Sequence, residues 1–412
     1  MSRATFPETG TGRDQIMAQL RELKAKDIDW RGGRASMFVF KASEEVSQLG
    51  QDAFVEYFHE NALGATSAFP SVRTMETDVV QMALDLFKAP EGARGYMTTG
   101  GTESIIQAMQ TCRNWSRLAR GNPSHRGNIV AFETVHPAFD KGAKLMDLEM
   151  RRIAVDPWAS PDVAALAAAI DADTILLVGS APNYPYGSID PIAELSELAQ
   201  RRKLWLHVDA CVGGFLAPFA RQIGRPIPAF EFSLAGVSSM SADLHKYGYC
   251  PKPASTVLYR TAEQAKQQLF DVDVWPSGRF VTTTIVGTRP AGGVAAAWAM
   301  IRYLGAEGYR ALAAELMVGM DQYREGLTAI DGLQVVGRPD LAVVAFTSHD
   351  VDMMRVAGKL SAKGWLPGLI RKPVGIHRMM SMLHTASNDR FLADLRDAVG
   401  SIRERTSTSA AS

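Results

Sequence analysis

The sequence predicts an α/β protein whose mainly parallel sheet is covered by helices on both faces and is followed by a smaller C-terminal α+β domain. Strand-like apolar runs alternate with helical patterns from residue 102 to residue 208. The alternation changes character after Gly305, and 412 residues exceed what one small hydrophobic core would hold.

Residues 1 to about 12 carry Gly, Thr and Pro with little apolar content, and helical patterns follow at Arg13–Lys26 and Glu44–Asn61. Asn61–Arg73 reads as a loop of small residues. A helix is expected from Val72 to Lys88, with Met75, Val79, Met82, Ala83 and Leu86 near helical spacing, ended at Ala89-Pro90-Glu91-Gly92. The repeating pairs are a helix at Thr102–Arg120 with a strand at Asn128–Phe132, and a helix at Pro137–Leu148 with a strand at Arg151–Val155. Next come a helix at Pro161–Ile170 with a strand at Thr174–Gly179, and a helix at Pro191–Arg201 with a strand at Leu204–Val208. A long helix is expected at Thr288–Leu304 and another near Gly308–Ile330. Strands near Leu333–Val336 and Ala342–Thr347, a helix at Val351–Lys363, a strand at Trp365–Ile370 and an apolar run at His377–Leu383 complete the small domain. The expected division is an N-terminal segment over 1–70, a large domain over 71–304, a small domain over 305–404 and a disordered Ser/Thr/Ala-rich tail over 405–412.

Lys+Arg and Asp+Glu both number 44, so no net field attracts nucleic acid or an anionic membrane. Three cysteines, Cys112, Cys211 and Cys250, with no Cys-x-x-Cys, argue against a disulfide framework and a zinc site and for a reducing compartment. The N-terminus lacks an apolar signal core, and no apolar run approaches the roughly 18 residues of a membrane helix. A cytoplasmic enzyme acting on a small molecule is expected, with no membrane span and no nucleic-acid partner.

Two stretches carry chemistry. In LHVDACVGGFL, Asp209 follows the apolar run Leu204–Val208; in SMSADLHKYGYCPKPAS, His245 and Lys246 follow a run of small residues. A lysine amine that forms a Schiff base with an aldehyde, and a carboxylate that keeps a pyridinium nitrogen protonated, are what pyridoxal phosphate (PLP) requires. Gly100-Gly101-Thr102-Glu103-Ser104 opens a helix, and free N–H groups at a helix start bind phosphate. His136, just past a strand, suits stacking on the pyridine ring. Read singly, Thr102 and Asp209 are also good helix N-caps, His136 an ordinary helix-start residue and Lys246 a surface lysine. The apolar surroundings of Lys246 favour burial, which predicts a lowered amine pKa.

Together the motifs MTTGGTESI, VHPAFDKGA, PNYPYGSIDP, LHVDACVGGFL, SADLHKYGYCPK, VGTRPAGG and AKGW resemble the group II PLP-dependent decarboxylases, and most of all their sphingosine-1-phosphate lyase branch, from about Phe69 to Leu383. The resemblance implies a PLP enzyme of fold type I and a homodimer with active sites at the subunit interface. It implies Lys246 as Schiff-base lysine, Asp209 as pyridinium partner and His136 as stacking ring. Gly101, Thr102 and His245 match phosphate positions, and Gly287-Thr288 a segment that reaches the phosphate from the partner subunit. Tyr184 and Lys252 match positions that move protons in the lyases. Asn61, Lys252 and Arg289 are the substrate-binding candidates. The implied reaction is retro-aldol cleavage of a 2-amino-3-hydroxy compound, with α-decarboxylation of an amino acid as the alternative. The chain departs from the branch where it holds a substrate phosphate: Phe40 stands at or near a Tyr position and Gly64 at a His position, removing two donors.

Overall fold

The computed structural model describes residues 3–410, with side chains through Glu404. Helices α1 (Arg13–Lys24), α2 (Glu44–Glu56) and α3 (Pro70–Leu86) precede β1 (Arg94–Thr98) and α4 (Gly101–Arg120). Then follow β2 (Asn128–Phe132), α5 (Ala138–Met146), β3 (Glu149–Ile153), α6 (Val163–Ala168), β4 (Thr174–Ser180), α7 (Ile192–Arg202), β5 (Trp205–Asp209) and α8 (Ala217–Gln222). The sheet is completed by β6 (Val237–Ala242) and β7 (Ser255–Tyr259), ahead of α9 (Ala262–Lys266) and the hairpin β8 (Phe270–Val272)–β9 (Phe280–Thr282). The remainder is α10 (Ala291–Thr328), β10 (Leu333–Val335), β11 (Val343–Ser348), α11 (Met353–Ala362), β12 (Gly368–Arg371), β13 (Val374–Met379), α12 (Met382–Thr385) and α13 (Asn388–Ala410).

The large sheet has seven strands in the order β1-β7-β6-β5-β4-β2-β3. Only β7 runs against its neighbours. Every residue of β2, β4 and β5 is buried, as expected of strands covered on both faces. Register aligns Ser180 with Asp209 and Asp209 with Ser241, so β4, β5 and β6 end together. Ligands of open α/β sheets gather at such carboxyl edges.

Four antiparallel strands, β10-β11-β13-β12, form the second sheet. The N-terminal segment is stitched to it: Ser36 N–H donates to Leu366 O at 3.1 Å, and Met379 N–H to Ser36 O at 2.9 Å. That anchorage fixes where Met37–Phe40 lie.

Several expected boundaries move. The second helix stops at Glu56, because Asn61 instead caps a short 3₁₀ turn with its side chain. β3 begins two residues early, at Glu149. The apolar run at His377–Leu383 is split between β13 and α12. The two helices expected on either side of Gly305 are both present and meet at a kink there, where φ is 53° and favours glycine. Of the tail expected to be disordered over 405–412, the backbone is helical to Ala410; side chains from 405 and residues 411–412 lie outside the described residues. Among the described residues no helix is long and apolar enough to cross a membrane.

Candidate active site

A cavity of about 350 Å³ opens at the carboxyl ends of β4, β5 and β6. Gly101, Thr102, His136, Tyr184, Asp209, His245, Lys246 and Lys252 all line it, so eight of the twelve expected site residues meet in one place. Met37, Phe38 and Phe40 close one side with apolar surface. Phe40 is held edge-on against Tyr247 at 5.0 Å, and Tyr247 donates to Met380 O at 2.7 Å.

Asp209 is the last residue of β5 and is 7% exposed. Its Oδ1 accepts from Cys211 N–H at 3.0 Å and from the Ser241 hydroxyl at 3.3 Å, leaving Oδ2 for a ligand in the cavity. Ser241 also lies 3.2 Å from His207 Nε2, while Ser239 lies 2.8 Å from His207 Nδ1. Burial pushes His207 down to about 4, so it is a neutral spacer beside the carboxylate.

Gly100 caps α4 without a side-chain hydrogen bond, so Thr102 does not serve as the N-cap and the helix presents its N-terminus uncapped. A Cβ at Gly101 would come within 2.8 Å of Asp243 Oδ2 and Cys211 Sγ, so only glycine lets the chain turn this closely. Glu103 ties the turn down: its carboxylate accepts from Thr99 N–H at 2.7 Å and from Ile285 N–H at 2.9 Å. His136 Nδ1 accepts from Ala138 N–H at 3.1 Å, which places the proton of the neutral ring on Nε2.

Lys246 corrects one expectation. Burial alone pushes its amine down, but the Asp243 carboxylate, 2.9 Å from Nζ, outweighs it and holds the amine above its ordinary value. Lys252 behaves as buried lysines do: burial, then Lys246, lower it. Burial raises the Tyr184 phenol, and Lys246 offsets this in part. The Tyr184 hydroxyl donates to Met37 Sδ at 3.2 Å, and its ring meets His377 edge-on at 4.7 Å. His245 contacts Ala254 O through Nδ1 at 2.7 Å and stands 3.6 Å from Asp243 through Nε2; burial lowers it.

Asn61, Gly287, Thr288 and Arg289 are not in this cavity. They form a cluster of their own, with Asn61 Nδ2 donating to Thr288 Oγ1 at 3.2 Å and Arg289 N–H donating to Asn61 Oδ1 at 3.3 Å. Arg289 is 7% exposed and pairs with Glu76 at 3.3 Å. Gly287 and Arg289 line a second cavity of about 510 Å³.

Asp243, Ser241 and His207 were missed as contributors. Asp243 is visible three residues before Lys246, and the strand period puts His207 and Asp209 on one face. A fourth group, Asp190, accepts Ser180 N–H at 2.7 Å behind the cavity wall, and burial pushes its carboxyl up to about 7. An unfolded Asp titrates near ~3.9, so this group's contribution to stability is fully present below that pH and lost as pH rises toward 7. Asp190→Asn is therefore expected to gain on the parent by about 1 kcal/mol or more between pH 5 and pH 8, read as a widening Tm difference. A constant difference would show that Asp190 is not the titrating group.

The profile of the pyridoxal-dependent decarboxylase conserved domain matches residues 5–349. The sphingosine-1-phosphate lyase of Oryza sativa is 38% identical over 97% of this chain and 75% of its own length. A probable L-tyrosine/L-aspartate decarboxylase of Methanocella arvoryzae is 33% identical over 95% of this chain and 100% of its own. The solved structure of Burkholderia pseudomallei sphingosine-1-phosphate lyase superposes with a TM-score of 0.93 at 34% identity, covering 99% of this chain and 95% of that one.

Proposed function

Because the chain belongs to the pyridoxal-dependent decarboxylase family, with the α/β fold of type I PLP enzymes, and is a PLP-dependent lyase of the sphingosine-1-phosphate lyase kind, we propose that its cavity cleaves the Cα–Cβ bond of a 2-amino-3-hydroxy compound and releases an aldehyde. The observation that carries the reading is the meeting of Tyr184 and Lys252 with Lys246 and Asp209 around one cavity. PLP fits the residues present: an amine, a buried carboxylate at a strand end and an uncapped helix N-terminus converge on one space.

When bound, PLP supplies an electron sink for the pair released by bond cleavage. Lys246 would anchor it, Asp209 would hold a proton at its ring nitrogen, His136 would stack on it, and Gly101, Thr102 and His245 would receive its phosphate. Lys252, with its amine lowered by burial and by Lys246, is the better base for the 3-hydroxyl proton. Tyr184, with its phenol raised, keeps its proton for delivery to carbon.

The reading includes a homodimer. In it Gly287 and Thr288 reach toward the partner's cavity, with Asn61 and the buried Arg289 bonded beside them, a reading that fits their separation from the eight others. Exposed Ile285 and Val286, next to Gly287 in the chain, and exposed Val274 and Trp275 in the β8–β9 turn support a covered apolar face. Three buried free thiols agree with a reducing cytoplasm.

The substrate of the rice and Burkholderia relatives is a phosphorylated amine, but Phe40 and Gly64 withhold two phosphate donors from this chain. Gly64→His is expected to lower KM for phosphorylated amines relative to the unphosphorylated ones. The Phe69 ring, 3.1 Å from a Cβ at position 64, has to shift slightly to admit it. No change in that ratio would count against the account of the missing donors. The reaction itself is tested with a panel of β-hydroxy amines, their phosphates and amino acids. Aldehyde is the expected product; CO₂ from an amino acid without aldehyde would transfer the assignment to α-decarboxylation.

A further inference from the structure

The reaction outlined above leaves one group at the foot of the cavity unused. Asp243 is 2% exposed, and its Oδ2 is 2.9 Å from Lys246 Nζ and 3.6 Å from His245 Nε2. The Ser255 hydroxyl donates to Oδ1 at 2.6 Å. The Ser255 and Ser104 hydroxyls are 2.8 Å apart, and those of Ser104 and Thr98 2.6 Å, so a buried line of hydroxyls runs from the carboxylate into the first turn of α4.

A lysine ammonium has no lone pair and cannot bond to an aldehyde carbon until it loses a proton. Of the groups facing Lys246, Cys211 is buried with its thiol pushed well up, Tyr184 keeps its proton, and Lys252 is assigned to the proton of the substrate's 3-hydroxyl. Asp209 faces it as a carboxylate whose Oδ1 is already hydrogen-bonded. Asp243 alone combines contact with the amine and a hydrogen-bonded carboxylate.

We propose that Asp243 is the positioning residue of this site: it holds free Lys246 as an ammonium at the foot of the cavity and takes its proton when the amine bonds to the cofactor. One proton passes from Nζ to Oδ2 and the ion pair becomes a neutral amine and a neutral acid; as C=N replaces the aldehyde C=O, the aldehyde oxygen would leave as water with the two hydrogens of the neutral amine. Burial raises the Asp243 carboxyl, but the Lys246 and His245 charges outweigh it and keep the ion pair the resting state, so the exchange is drawn forward as bonding consumes the neutral amine. The inference rests on Lys246 being the cofactor lysine.

The test follows the rate of covalent PLP attachment to the apoenzyme, by its visible absorbance, against pH. In Asp243→Asn the amine loses its counter-charge while burial remains, so the midpoint of the profile is expected to move down by about one pH unit or more. Asp243→Glu is expected to restore it in part. Ser255→Ala, which removes a donor to Oδ1 without removing charge, leaves the carboxylate a stronger partner for Nζ, so it is expected to move the midpoint up by a smaller amount, and serves if Asp243→Asn does not fold. Midpoints that stay at the parent value in the folded variants would overturn the role of Asp243 alone. A parent apoenzyme that attaches no PLP would overturn the reading on which it rests.

Discussion

Replacing Lys246 with Ala is expected to abolish covalent PLP attachment and to reduce turnover on the order of 10³-fold or more, the scale of deleting a covalent catalytic group. The side chain is the cavity's anchor, and Lys252, the other amine on the wall, lies further along the same β6–β7 connection and lacks the Asp243 contact. The substitution has a second consequence. It strands Asp243 as a buried carboxylate without its cation, which costs about 3 kcal/mol or more when a buried pair is broken from one side. Adding Asp243→Asn to Lys246→Ala should therefore recover stability while activity stays lost, as read by thermal melts beside turnover. Normal turnover in Lys246→Ala would remove the lysine from the mechanism. A melt unchanged from the parent would remove the ion pair from the stability account.

Asp209→Asn is expected to leave PLP binding in place and to cut kcat by at least about 100-fold, the scale of losing one preorganised electrostatic contact. The amide can still accept Cys211 N–H and the Ser241 hydroxyl, so the geometry at the end of β5 survives. What is lost is the negative charge that holds a proton at the ring nitrogen, and with it the capacity to accept the electrons of the broken bond. The effect should therefore fall on kcat with KM little changed. A loss confined to KM would make Asp209 a binding group, with no part in the chemistry.

Much of this was legible in the sequence, and the exceptions have physical causes. Asn128–Phe132 reads as a strand because all five residues are buried between helical layers. β6 and β7 do not stand out, because Ser239, Ser241, Ser255 and Thr256 are buried polar residues whose hydroxyls find partners inside. Periodicity registers them as surface. Asp209 was visible as an acid at a strand end and Lys246 as a lysine in apolar surroundings, whereas His136 read singly as an ordinary helix-start residue. The charge state of Lys246 was not, because it depends on the turn that brings Asp243 back onto Nζ. Nor does order along the chain show that Gly287–Arg289 packs against Asn61, on a wall apart from Lys246.

The most direct measurement of the central claim is reductive trapping. Borohydride reduction of the holoenzyme fixes the cofactor to the amine that holds it, and peptide mass mapping then locates the adduct. The account predicts a single pyridoxyl group on the peptide containing Lys246, absent from Lys246→Ala. An adduct on Lys252 or any other lysine of the parent, or none at all, would contradict it.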